Sequence, residues 1–312
     1  MFIIIAGPTG AGKSETAIMV AEKIGGEIVS ADSMQIYKGM DIGTSKVTEK
    51  EKRSVPHHMI SIIEPAEPYS AAKFKRAAEK IMDSIKNRGK VPVLTGGTGF
   101  YIHAIIRGLF EAPEPGGKVR EKLRNLEKEK GVKYLFSMLK KKDPDEARVI
   151  DSSNPRRVIR ALETIEAAGE KVSTLKKTAP GRAYKDRYCF FVLKAEREKL
   201  RERIDKRVDD MMAGGLIDEV KALRKKGVDE SAPSMQAIGY KEALACIKGR
   251  ISKTEAVQRI KINTRKYAKR QVTWFKKYKE AEWIDVTSLA PAGAADIIVK
   301  RVKEKGEGQW EK

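Results

Sequence analysis

Residues 1–14 read Met-Phe-Ile-Ile-Ile-Ala-Gly-Pro-Thr-Gly-Ala-Gly-Lys-Ser, an apolar run (Phe2–Ala6) delivered straight into a glycine-rich loop that ends in Lys13-Ser14. The spacing is that of the G-x-x-x-x-G-K-[ST] phosphate-binding loop, with a strand before it and helix-forming residues after it. Its glycines let backbone N–H groups converge on an anion; the following helix adds the positive end of its dipole, and Lys13 adds a full charge. Ser14 carries the hydroxyl suited to a Mg²⁺ bridging two phosphate oxygens. The loop therefore predicts a di- or triphosphate ligand.

The same strand–loop–helix order continues outward. Glu27-Ile28-Val29-Ser30 reads as a second strand ending at Ala31-Asp32, a helix is expected near 70–88, and Val91–Thr95 forms a third strand before the turn Gly96-Gly97-Thr98-Gly99. Such alternation predicts an α/β fold, a P-loop NTPase-like core with a parallel, doubly wound sheet that binds ligands at the carboxyl ends of its strands. Ala112-Pro113-Glu114-Pro115-Gly116-Gly117 has the composition of a linker. The charged stretch after it is helical in pattern, with Asn154 as an N-cap and Pro155 at the first helical position. Tyr188–Leu193 returns to the sheet. The expected organisation is a core of 1–113 and 186–312 interrupted by a helical insertion domain at 114–185.

The last third is expected to be helical. Ser252-Lys-Thr-Glu255 has the form of a capping box. The helix it opens has an apolar face of Val257, Ile260, Thr264, Ala268 and Phe275. Lys261, Arg265 and Lys269 lie opposite at i, i+4 spacing, with Arg259, Lys266, Arg270, Lys277 and the aromatics Tyr267 and Trp274 nearby. This pattern suits a nucleic-acid backbone, and equally a solvated amphipathic helix packed on the core. Residues 303–312 read as a frayed tail.

Across 312 residues, 64 Lys and Arg face 43 Asp and Glu, a formal net charge of +21. Residues 1–113 carry 15 basic and 12 acidic side chains, so nearly all of the excess lies beyond them. A near-neutral phosphate-loop region joined to a strongly basic remainder points to a small phosphorylated ligand in one part and a polyanion on the other. A Lys-rich solubilising surface is the plainer alternative. Two isolated cysteines, Cys189 and Cys246, fit a reducing compartment without a disulfide framework. His57, His58 and His103 form no metal-binding spacing with them. With neither a signal-type leader nor an apolar run of membrane length, the expected location is the cytoplasm.

A carboxylate at the end of the second strand, Asp32, is placed for a general base or a metal ligand, and Gln35 one turn on has the amide that pairs with an adenine edge. Thr98 is expected at the same rim. No apolar strand ending in Asp completes a Walker B motif, so ligands other than ATP or GTP remain open.

Taken together these residues resemble the tRNA dimethylallyltransferases, also called tRNA isopentenyltransferases. The resemblance rests on Gly-Pro-Thr-x-x-Gly-Lys-Ser at 7–14, Ser-Ala-Asp-Ser-Met-Gln-Ile-Tyr-Lys-Gly-Met-Asp-Ile-Gly-Thr at 30–44, and Pro-His-His-Met-Ile at 56–60. It continues through Tyr-Ser-Ala-Ala-Lys-Phe at 69–74, Gly-Gly-Thr-Gly-Phe-Tyr at 96–101, and Asn-Pro-Arg-Arg-Val-Ile-Arg-Ala-Leu-Glu at 154–163. Arg-Val-Asp-Asp-Met at 207–211, Gln-Ala-Ile-Gly-Tyr-Lys-Glu at 236–242 and Thr-Arg-x-Tyr-Ala-Lys-Arg-Gln-x-Thr-Trp-Phe at 264–275 complete it, in order, over about residues 3–285.

The resemblance implies transfer of a dimethylallyl group from dimethylallyl diphosphate to the N6 amine of the adenosine 3′ of the tRNA anticodon. Gly7, Pro8, Thr9, Gly10, Ala11, Gly12, Lys13 and Ser14 would hold the diphosphate, with Mg²⁺ on Ser14. Asp32 would accept the N6 proton, Thr9 would orient the amine or the diphosphate, and Lys13 would stabilise the leaving group. Arg203 and Arg207, at i, i+4 on a helix near 196–213, are the candidates for an arginine clamp, with Arg207 favoured because it opens a matching run. Contacts to the tRNA anticodon stem-loop carry over to Asp32, Ser33, Met34, Gln35, Thr98, Arg120, Arg156, Arg157, Val158, Ile159 and Arg160, with Arg265 and Lys269 on the basic helix. A monomer without a membrane partner is implied. An adenylate dimethylallyltransferase, a small-molecule P-loop kinase and a non-catalytic RNA-binding protein are the competing readings.

Overall fold

The computed structural model describes residues 1–110, 117–178 and 181–306. Of the expected linker only Gly117 falls within them, and residues 307–312 of the tail lie outside. The chain forms two compact units, Met1–His103 with Lys185–Lys312, and Ala104–Tyr184.

The first unit opens with β1 (Phe2–Ala6), α1 (Lys13–Ile24), β2 (Gly26–Ser30), the short α2 (Glu49–Lys52), β3 (His57–His58), α3 (Ala71–Asn87) and β4 (Val91–Gly96). Helix α4 (Gly99–Ile106) runs across the boundary into the second unit, which holds α5 (Gly117–Lys142), α6 (Pro144–Val149), α7 (Pro155–Ala168) and α8 (Val172–Thr178). The first unit resumes with β5 (Tyr188–Lys194), α9 (Arg197–Ala213), α10 (Leu216–Lys225), α11 (Tyr240–Ile247), α12 (Lys253–Phe275), β6 (Glu282–Asp285) and α13 (Pro291–Gly306).

The six strands form one parallel sheet in the order β3-β2-β4-β1-β5-β6. Strands buried on both faces read as unbroken apolar runs, and here alternate residues serve opposite layers. Ile3 and Ile5 join Phe191 and Leu193 in a core with Ala17 and Ile18 of α1 and Ala294 and Ile298 of α13. On the other face, Phe190 meets Phe275 of α12 edge-on with centroids 6.3 Å apart.

β4 lies between β1 and β2, paired with β1 through Ala6–Gly96 and with β2 through Ser30–Thr95. One expectation needs correction: the last third is not wholly helical, since Glu282–Asp285 adds a sixth parallel strand beside β5. Four residues, Glu-Trp-Ile-Asp, are too few to show a period, and pairing with a finished edge decides them.

The second unit closes its own core on Leu135, Leu139, Val158 and Leu162. Asn154 caps α7 as expected, accepting from the Arg157 N–H at 3.3 Å with Pro155 in the first turn. One turn from the C-terminus of that helix, the buried Glu163 takes a bidentate pair from Arg120 at 2.6 and 3.1 Å and a second cation, Arg160, at 3.5 Å.

Glu27 of β2 is buried beneath His58 (2.7 Å), Arg88 (2.7 Å) and Lys90 (3.2 Å). Burial pushes its carboxyl up, but hydrogen bonds from His58, Arg88 and Lys90 outweigh that and hold it at about 2, below the ordinary 4.5. A folded value below the unfolded one gives stability that is whole above 4.5 and lost as pH falls toward 2. Thermal melts across that window are expected to drop steeply in the native protein and less in Glu27→Gln. At pH 7 the variant should lose about 1–3 kcal/mol.

Candidate active site

β1 feeds the phosphate loop, and the loop turns into α1 at Gly12, whose φ of 76° is left-handed and fits glycine. Lys13 folds back so that Nζ donates to the Pro8 carbonyl at 2.8 Å. Burial, then the nearby Arg207 charge, lower the Lys13 ammonium from 10.5 to about 7, against an opposing pull from Asp32. Burial also lowers Arg207, again opposed by Asp32, so the three charges share one neighbourhood. Arg207 of α9 is anchored there by donating to the Thr44 carbonyl at 3.1 Å.

The two arginine candidates part at this point. Arg203 spends its guanidinium on the carbonyls of Val286 and Thr287, each at 2.9 Å, and ties α9 to the segment after β6. Only Arg207 of the pair stands with Lys13 and Asp32.

Asp32 follows β2 and closes a turn on itself, its Oδ1 accepting from the N–H groups of Met34 (2.8 Å) and Gln35 (3.4 Å). Among the described residues its Oδ2 accepts no hydrogen bond. Thr98, in the turn after β4, accepts from the Ser33 N–H at 2.9 Å and donates to the Ser33 hydroxyl at 3.2 Å. Thus Asp32, Ser33 and Thr98 come together at one rim with the loop.

Gln35 does not present a base-reading edge. It is buried, and its Nε2 donates to the carbonyls of Thr44 (3.3 Å) and Ser45 (3.4 Å) while Oε1 accepts from Ser30 at 3.4 Å. Met34 packs into the apolar cluster of α10 and α11. Val158 is fully buried and Ile159 packs on the same core, so these two hold the second unit together, while Arg156 and Arg157 beside them are exposed. Arg120 and Arg160 are paired to Glu163 as described.

The basic face of α12 is likewise partly claimed from within. Arg265 makes a bidentate pair with Asp205, and Lys261 bonds Asp209 at 2.7 Å, both acids of α9. Lys269 is exposed. The aromatics of this helix do interleave with neighbouring cations: Arg270 lies over the Tyr267 ring, 5.7 Å from its centroid, and Lys277 over the Trp274 ring at 4.5 Å. Trp274 lies against Gly99 and edge-on to Phe100 and His103. The Tyr267 hydroxyl is pushed up to about 12 by burial and the Asp32 charge, against hydrogen bonding with Thr98 and Gln271.

Two site residues, Glu219 and Gln271, escaped the reading of the sequence. Glu219 gathers the N–H groups of Asp41 (2.8 Å), Ile42 (2.7 Å) and Gly43 (3.1 Å) and the Tyr240 hydroxyl (2.5 Å) on one carboxylate. That clasp fixes the 41–44 loop whose last carbonyl receives Arg207. Gln271, buried on α12, accepts from the Thr9 N–H and donates to the Gly97 carbonyl, both at 2.9 Å. Signals existed for these: a glycine forced at 43 by the Tyr240 ring, and an amide set in an apolar stripe.

The donor set suits a hard divalent ion only in part supplied by protein. Ser14 is exposed with its hydroxyl uncommitted, and among the described residues no three His, Cys, Asp or Glu side chains gather into a cage. A Mg²⁺ that takes most ligands from phosphate and water fits such a site.

A family model described as IPP transferase matches residues 35–278, and one described as isopentenyl transferase matches residues 1–64. A tRNA dimethylallyltransferase of Caldanaerobacter subterraneus subsp. tengcongensis is 45% identical over 287 residues, covering 91% of each chain. One from Thermotoga maritima is 45% identical over 91% of this chain and 92% of its own. The crystal structure of a Bacillus halodurans tRNA isopentenylpyrophosphate transferase superposes with a TM-score of 0.71 at 38% identity, covering 98% of both chains. A eukaryotic dimethylallyltransferase acting on tRNA superposes at 0.83 with 28% identity, over 98% of this chain and 79% of that one.

In the free site at pH 8 Lys13 is mostly neutral, and phosphate oxygens placed against it favour the ammonium. Binding of inorganic diphosphate at that pH is expected to draw about one proton more in the native protein than in Lys13→Arg, whose guanidinium stays charged. Calorimetry in buffers of different ionisation enthalpy measures the difference; equal uptake would contradict the assignment.

Proposed function

The chain belongs to the IPP transferase family, and from that premise we infer its reaction: a dimethylallyl group passes from dimethylallyl diphosphate to the N6 amine of the adenosine immediately 3′ of the tRNA anticodon, releasing diphosphate. The observation that carries the assignment of roles is the meeting of an anion-binding loop and a carboxylate, with Lys13 and Arg207 in reach of both.

The N6 lone pair forms the new N–C bond as the allylic C–O bond breaks, and that electron pair leaves on the diphosphate. Charge therefore grows on the leaving oxygens, where Lys13, Arg207 and the loop amides stand ready, and stabilisation there favours the transition state over the substrate. Asp32, its Oδ1 tied to the turn amides, takes the N6 proton on Oδ2. A Mg²⁺ held by Ser14 and phosphate oxygens would neutralise further charge on the leaving group.

For RNA, the exposed Arg156, Arg157 and Lys269 are the phosphate contacts, and Ser33 and Thr98 stand at the rim that receives the extruded base. The protein acts as a cytoplasmic monomer in this reading. The relatives are named for tRNA, which favours an RNA acceptor over a free nucleotide.

Labelled dimethylallyl diphosphate offered with Mg²⁺ to an anticodon stem-loop, and separately to AMP, tests this. Label is expected in the stem-loop, with kcat/KM reduced by roughly 10²–10⁴ in Asp32→Asn, the range for loss of a general base. Label in AMP alone would replace the acceptor, and label in neither would overturn the reading.

A further inference from the structure

Gln271 sits where a polar side chain must account for itself. It lies on the stripe of α12 shared by Ala268 and Phe275, and only 5% of it is exposed. A buried amide without partners is destabilising, so its hydrogen bonds define its purpose. They reach two different loops: the Thr9 N–H, at 2.9 Å, belongs to the phosphate loop, and the Gly97 carbonyl, also at 2.9 Å, belongs to the turn after β4. The fit leaves no slack, because a Cβ on Gly97 would collide with Gln271 Nε2 and one on Gly99 with the Trp274 ring.

From Gly97 the connection runs on. The Thr98 N–H donates to the Ala31 carbonyl at 3.1 Å, and the Thr98 hydroxyl holds both the N–H and the hydroxyl of Ser33. Asp32 lies between those two residues. Because β4 separates β1 from β2, no strand pairing joins the loop after β1 directly to the turn after β2. At the rim, beyond the last paired residues Ala6 and Gly96, Gln271 supplies that link.

We propose that Gln271 is a positioning residue for the transfer, a single buried amide that holds the diphosphate loop in register with the turn bearing Asp32. The proposal rests on the transferase reading above. Bond formation needs the amine within about 3–3.5 Å of the carbon and in line with the leaving oxygen, and a misplacement of about 1 Å lowers the rate on the order of 100-fold. Neither half of the site can meet that condition alone: the loop places the carbon, and the Asp32 turn places the amine.

Two variants test it. Gln271→Met keeps the volume and loses both loop hydrogen bonds, along with the one shared with the Tyr267 hydroxyl; Gln271→Glu keeps the acceptor for Thr9 and, when ionised, loses the donor to Gly97. The Met variant is expected to lose kcat on the order of 100-fold, with stem-loop affinity by fluorescence anisotropy within about threefold of native. The rate of Gln271→Glu relative to native is expected to rise as pH falls, because a protonated carboxyl donates to Gly97 as the amide does. Neither a packing role nor an RNA-docking role produces that pH signature. A Met variant within threefold of native kcat, a parallel loss of stem-loop affinity, or a flat Glu-to-native ratio would each overturn the proposal. If the Met variant does not fold, the Glu ratio decides. If the native protein transfers no label, the reaction itself is wrong, and hydrogen exchange at residues 7–12 then judges the link: faster exchange in the Met variant supports it, and unchanged exchange refutes it.

Discussion

Three parallel strands finish at one rim, Ala6 beside Gly96 and Ser30 beside Thr95, and everything chemical in this protein depends on that alignment. A parallel ladder sends every chain out of the sheet on the same side. The loop after β1, the Asp32 turn after β2 and the Gly97–Thr98 turn after β4 therefore meet without any long-range adjustment. Reversing one strand would send its loop to the opposite edge. The ladder sets the meeting place but not the final ångström, and side chains from α9 and α12 provide that.

Electrostatically the rim is unbalanced. Burial and then the nearby Arg207 lower Lys13, burial lowers Arg207, and Asp32 opposes both shifts only in part. An anion arriving there favours the charged form of Lys13, beside an Arg207 guanidinium that is charged throughout. The preparation of the site is itself destabilising, and the clasp of Glu219 on the 41–44 loop is the sort of over-determined local structure that sustains it.

Much of this was legible beforehand. The loop, Asp32 and the strands that carry them follow from local pattern: an apolar run, a glycine spacing, a carboxylate at a strand end. The caps Asn154 and Ser252 were readable for the same reason, since a cap is a matter of three residues. What sequence pattern missed depends on partners far along the chain. Thr9 and Gln271 are 262 positions apart, and no periodicity advertises that an amide on an apolar stripe will answer a loop N–H. The Gly-Gly-Thr-Gly turn read as a ligand rim; its glycines at 97 and 99 are equally the seat on which α12 rests. Cations were overcounted as free because their acids, Asp205, Asp209 and Glu163, sit on other helices or a turn away.

That last pairing changes how the basic character of the chain should be weighed. The formal charge of +21 describes the unfolded string, whereas Lys261, Arg265, Arg120 and Arg160 enter any encounter with a polyanion already holding carboxylates. An ion pair that stays closed displaces no condensed counter-ion from a nucleic acid, and one that opens must first be broken. The entropy gained by freeing salt from the polymer is thus drawn from other exposed cations, Arg156, Arg157 and Lys269 among them. A protein so constituted grips its polyanion less by bulk charge than its composition suggests, and it owes correspondingly more of its selectivity to shape.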